Sequence, residues 1–166
     1  EFDNPADQCI SLFGYDTSPL ELTTTTTFHQ DAFGGPTSVD INPAFFGAFP
    51  DLEFDSWVTV GAENTVGNAL SAVGFNFANF EAGNDLIVND IVGGVLFQLP
   101  GDPMTFPVAG RVLLAQLTTD GDLDLLLNIQ WRDPLNVSTE EHGIVLQATS
   151  AIPGCTDSNA LNYNSN

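Results

Sequence analysis

Lysine is absent from all 166 residues, and Arg111 and Arg132 are the only strongly basic side chains against 22 acidic ones, for a net charge of −20. A chain so poor in cations cannot clasp phosphates, which excludes nucleic acid as a partner. It equally excludes a polybasic hold on an anionic membrane. No apolar run approaches the roughly 18 residues that span a bilayer, so no membrane insertion is expected. Histidine is scarce (His29 and His142), and no H-E-x-x-H, C-x-x-C, G-x-S-x-G, P-loop or G-x-G-x-x-G pattern occurs. Both histidines read as exposed strand ends, and the chain reads as a protein that is not an enzyme.

Hydrophobic residues still make up 43% of the chain, enough for a packed core in one globular domain. Helical periodicity is confined to residues 65–72 and 78–83. The rest of the body breaks into short alternating segments punctuated by Gly, Pro, Asn and Asp. Candidate strands are 53–61, 75–77, 86–88, 95–99, 111–119, 123–131 and 142–149. Asp120-Gly121 marks a hairpin between 111–119 and 123–131. Period-two alternation puts Leu113, Ala115, Leu117, Leu123, Leu125, Leu127, Ile129 and Trp131 on one core-facing side. About eight short strands at this spacing predict an all-β, antiparallel β-sandwich of jelly-roll or immunoglobulin-like type, with extended terminal arms.

Residues 1–30 read as an N-terminal arm, 31–150 as the sandwich, and 151–166 as a C-terminal tail. The arm carries Leu20, Leu22, the run Thr23, Thr24, Thr25, Thr26 and Thr27, and then Phe28. Threonine favours strands, yet this run has no apolar face of its own to bury. It is an edge strand, an O-glycosylated stalk, or an arm pairing with another molecule. Phe45, Phe46 and Phe49, in a Pro/Gly loop, either plug one end of the sandwich or touch a neighbour.

Cys9 and Cys155 sit near opposite ends. In an oxidising compartment they are expected to be oxidised, with each other or across a subunit contact. An intrachain bridge would be worth about 4–5 kcal/mol of loop entropy. The chain opens at Glu1 rather than Met, as a mature chain does after signal-peptide removal and as a trimmed one also does.

Calcium is the most credible ligand. Asp120, Asp122 and Asp124 alternate around a glycine turn, and Asp51, Glu53 and Asp55 repeat the spacing, so either set could supply hard oxygen ligands. The alternative is a solvated face. Trp57, Trp131, Tyr15 and Tyr163 could form a sugar platform, although both tryptophans fall on the apolar phase of a strand. Asn136-Val137-Ser138 is an N-glycosylation sequon.

The tail Gly154-Cys155-Thr156-Asp157-Ser158-Asn159-Ala160-Leu161-Asn162-Tyr163-Asn164 resembles a repeat of large secreted and cell-surface proteins of marine and freshwater Bacteroidetes, G-C-T-D-x-x-A-x-N-Y-N. The body, from Phe54-Asp55-Ser56-Trp57-Val58-Thr59-Val60-Gly61 to the Gly110–Gly121 stretch, is similar to uncharacterised modules of such environmental surface proteins. The resemblance implies extracellular display and modular use, and supplies no catalytic residue. Two functions follow. One is a structural subunit of a surface fibre, a homopolymer assembling head-to-tail through an arm strand. The other is a calcium-dependent or glycan-binding adhesion module of a larger secreted protein.

Overall fold

The computed structural model describes residues 1–150; Cys155, Tyr163 and the rest of the tail lie outside the described residues. The chain is all-β and antiparallel. Its strands are β1 (Gln8–Gly14), β2 (Leu20–Thr24), β3 (Trp57–Val58), β4 (Ser71–Val73), β5 (Leu86–Val88), β6 (Gly94–Phe97), β7 (Ala115–Gln116), β8 (Leu123–Arg132) and β9 (Ser138–Ala148). Seven form one large sheet, and β3 with β7 form a small facing ribbon.

The large sheet is organised around β8. On one side β1 and β2 lie end to end, β1 against Asn128–Arg132 and β2 against Leu123–Leu126. On the other side β9 runs along its whole length. β6 pairs with β1, β5 pairs with β2, and β4 closes the far edge beside β6. The inward side chains of these strands (Leu12, Leu20, Leu22, Leu86, Leu96, Leu127) meet Val58, Val60, Phe28 and Phe80 in the main core. Each such buried side chain contributes about 1.5–3 kcal/mol. A satellite core gathers Ile41, Leu52 and Trp57, with Phe46 and Phe49 packed against it.

The structure departs from several sequence expectations. The N-terminal segment is not an arm: β1 and β2 are inner strands, and Leu20, Leu22 and Phe28 are buried. The threonine run finds its partners within the domain. The hydroxyls of Thr24 and Thr26 meet that of Thr119 at 2.9 and 3.0 Å, Thr26 donates to Asp120, and Thr25 accepts from the Asp122 N–H at 2.9 Å. Gly121 is buried among them, and a Cβ there would stand 2.6–2.8 Å from three threonine oxygens.

The expected hairpin also does not form. Both sides of β8 are already occupied, so β7 pairs with β3 in the facing ribbon instead. The two apolar rows therefore face each other across the core rather than lying side by side. Of the expected core row only Leu127 and Ile129 are buried; Ala115, Leu117, Leu123, Leu125 and Trp131 are half-buried and Leu113 is exposed. Residues 75–77 are not a strand, whereas Ser71–Val73 is one, and the short helical signal at 78–83 becomes a 3-10 turn at Phe80–Ala82.

Candidate functional site

Because the facing ribbon is only two residues deep in each strand, it leaves part of the large sheet uncovered. The result is a cleft of about 670 Å³. Its floor is Leu12 of β1, Leu22 of β2, Leu123, Leu125 and Leu127 of β8, and Leu146 of β9. Its other wall is the segment from Pro103 to Leu117, contributing Met104, Phe106, Val108, Val112, Leu113 and Leu114.

That wall is a pinned loop. Asp102 caps the 3-10 turn Pro103–Thr105 by accepting the Met104 N–H at 2.9 Å. The Gln8 side-chain oxygen of β1 accepts from the Gly101 N–H at 2.6 Å and the Thr105 hydroxyl at 3.3 Å. Beyond it, the Phe2 N–H donates to the Gly110 carbonyl at 2.8 Å, and Arg111 pairs with Glu1 at 2.9 Å. Arg111 and Glu63 are the charged side chains that line the cleft. The remaining lining is dominated by aliphatic and aromatic groups, so the cleft is suited to burying apolar side chains, and the described residues place no nucleophile–base pair in it.

A smaller pocket of about 360 Å³ adjoins it, sharing Glu63 and Leu113. Ile41, Pro43, Phe46, Glu53, Trp57, Asn64 and Gln116 complete that pocket. The Trp57 indole N–H is buried without a hydrogen-bond partner among the described residues. Gln116 is oriented by donating to the carbonyls of Glu53 and Asp55 at 2.9 and 2.8 Å.

The calcium candidates are not brought together. Asp120 accepts from Thr26, Asp122 from the Ser150 N–H at 2.8 Å, and Asp124 from Gln147. Asp51 and Glu53 lie in the 3-10 turn Pro50–Phe54, where alternate residues do not share a face, and Asp55 points inward. Among the described residues no group of three His, Cys, Asp or Glu is placed to hold a metal ion. The Asp55 carboxylate instead accepts the N–H groups of Asp31 at 2.8 Å and Gly35 at 3.1 Å. Burial pushes its pKa up against those hydrogen bonds.

The other sequence candidates take bland positions. Phe46 and Phe49 plug the satellite core, while Phe45 stays exposed and meets Phe49 edge-on at 6.5 Å. Trp131 packs on the main core and donates its N–H to Glu141 at 3.0 Å. Tyr15 stacks on Phe13. His29 and His142 are both exposed, and His142 contacts Ser18 at 3.0 Å. Asn136 is exposed in the β8–β9 turn with a φ of 62°, accessible for modification. Cys9 is buried and its thiol is pushed up to about 12 by burial; its expected partner Cys155 falls outside the described residues.

Sequence reasoning, which reads Gly93-Gly94 as a turn or bulge, missed the cleft itself and the exposed pair Ile91-Val92 that the turn carries. The available signal was an apolar pair, Ile91-Val92, placed between Asp and Gly where a turn is normally polar. No family model matches this chain, and no curated protein and no solved structure is found similar to it.

Proposed function

We propose that this chain is a non-enzymatic, extracellular structural subunit that associates head-to-tail with copies of itself into a surface fibre. The observation that carries the reading is the open apolar cleft of about 670 Å³ in a molecule of net charge −20. Apolar surface left in water costs about 25 cal/mol per Å², and such patches mark contact sites. The acidic surface keeps copies apart everywhere except at such patches. Absent catalytic motifs and the resemblance to secreted surface modules point the same way. The route differs from the arm exchange the sequence suggests, because β1 and β2 are committed to their own sheet. Association therefore docks a protruding group into the cleft.

The test is sedimentation velocity and negative-stain electron microscopy of the purified chain at rising concentration and physiological salt. Growth of oligomers or filaments is expected. A strict monomer at every concentration, with and without calcium, overturns the reading.

A saccharide-binding adhesion module is the second reading, favoured by the unpartnered Trp57 N–H beside Glu53 and Glu63. A sugar hydroxyl in that pocket can donate to a carboxylate and, once the Trp57 side chain shifts to expose its N–H, accept from the indole. The two indole N–H resonances separate the cases: glucose or N-acetylglucosamine should shift that of Trp57 while Trp131, bonded to Glu141, serves as control. No shift at tens of millimolar sugar removes this reading.

A further inference from the structure

We infer that the group filling the cleft is the Ile91–Val92 turn of a second copy. This inference rests on the self-association proposed above and names its two surfaces. The turn links β5 to β6, and Ile91 and Val92 are 85% and 86% exposed, more than any other large hydrophobic among the described residues. It is a formed protrusion rather than a frayed loop. The Asp90 carboxylate accepts the N–H groups of Val92 at 2.9 Å and Gly93 at 2.8 Å.

The protrusion and the cleft lie on opposite faces of the same sheet. Leu12 lines the cleft, whereas its neighbour Phe13 lines the hollow at which Ile91 and Val92 stand. Successive residues of a strand point to opposite faces. The register carries the distinction across the sheet, with Leu12 opposite buried Leu96, and Phe13 opposite Val95, itself opposite Val73 of β4. An apolar donor on one face and an apolar acceptor on the other make a heterologous contact, which repeats into an open chain unless its rotation closes.

Charge permits the same pairing. Asp90 sits beside the protruding pair, and the cleft carries Glu63 together with Arg111, which is held by Glu1 in an exposed ion pair worth little and so is free to turn toward an incoming carboxylate. Almost any other docking of two such acidic copies sets like charges against each other. A cleft of about 670 Å³ admits two branched aliphatic side chains with part of their turn.

Three variants and one mixture test this, read by sedimentation velocity, with circular dichroism to confirm folding. I91D/V92D removes the protrusion, and V108D/L113D charges the cleft at residues 81% and 36% exposed. L135D is the control, at an equally exposed leucine in the β8–β9 turn. Each of the first two variants should weaken association at least 10-fold, and the control should match wild type. Mixed in equal amounts, I91D/V92D and V108D/L113D should form dimers only, since the intact protrusion of one enters the intact cleft of the other. If V108D/L113D does not fold, V108D alone takes its place. Wild type that assembles while I91D/V92D assembles equally well overturns this inference and leaves self-association standing. So does a mixture that stays monomeric. Wild type that never assembles overturns both.

Discussion

The Gly143 N–H donates to the side-chain oxygen of Asn128 at 3.0 Å, and this bond couples two breaks in the regularity of the sheet. Gly143 has a φ of 68° and sits where the β8–β9 register slips between Leu127 and Ile129. The other end of the Asn128 amide donates to the carbonyls of Phe13, Ser18 and Pro19 at 3.1, 2.9 and 3.0 Å, filling the gap between β1 and β2. Asn128→Leu should destabilise the fold by about 2–4 kcal/mol, because it strands several backbone groups without partners. Chemical denaturation measures this, and a loss below about 0.5 kcal/mol contradicts the role.

Deletion of residues 1–28 should abolish folding rather than release a monomer. It strips β1 and β2 from one whole side of β8 and removes Leu12, Leu20, Leu22 and Phe28 from the core. A truncated chain with native-like dispersion in its NMR spectrum refutes the sheet order.

Gly121→Ala should cost about 1–3 kcal/mol, since the added methyl meets the hydroxyls of Thr24, Thr25 and Thr26 at 2.6–2.8 Å. The pairing of Thr24 and Thr26 with Thr119 is what it would disrupt. An unchanged melting temperature would show that this latch yields freely.

Stability should rise on mild acidification. Burial raises the pKa of Asp55, and burial together with Asp55 and Asp40 raises that of Glu81, so the folded chain binds these protons more tightly than the unfolded chain. Their contribution is full below the ordinary carboxylate range and is lost as pH rises through the raised values. Repulsion within a chain of net charge −20 acts in the same direction. Melting temperature should therefore fall as pH rises above the ordinary carboxylate range of about 4, and Asp55→Asn should flatten that slope while lowering stability overall. Its amide nitrogen would face an N–H that the carboxylate accepts. A slope of opposite sign counts against this assignment.

Cys9 should resist alkylation in the native protein at pH 8, because its thiol is buried and pushed up to about 12. Mass spectrometry before and after denaturation gives the answer, and rapid native modification would place Cys9 at the surface.

The all-β antiparallel class was legible in the sequence because alternation is a local property. Leu123 to Trp131 shows it plainly, and β5, at Leu86–Val88, coincides with its expected range. Composition alone also fixes the charge of −20. Pairing was not legible. Asp120-Gly121 looks like a hairpin turn, yet the strands flanking it belong to different sheets, because β1, β2 and β9 take both sides of β8. The threonine run looks like an arm without a home until Thr119 and Asp120 arrive from ~94 residues away to receive its hydroxyls. The cleft depends on tertiary structure most of all. Leu12, Leu125 and Val108 are ordinary apolar residues in sequence, and whether they are core or open surface is decided by how far the facing ribbon extends. Strand alternation sets which face a side chain takes, whereas what covers that face is settled only by contacts between distant segments.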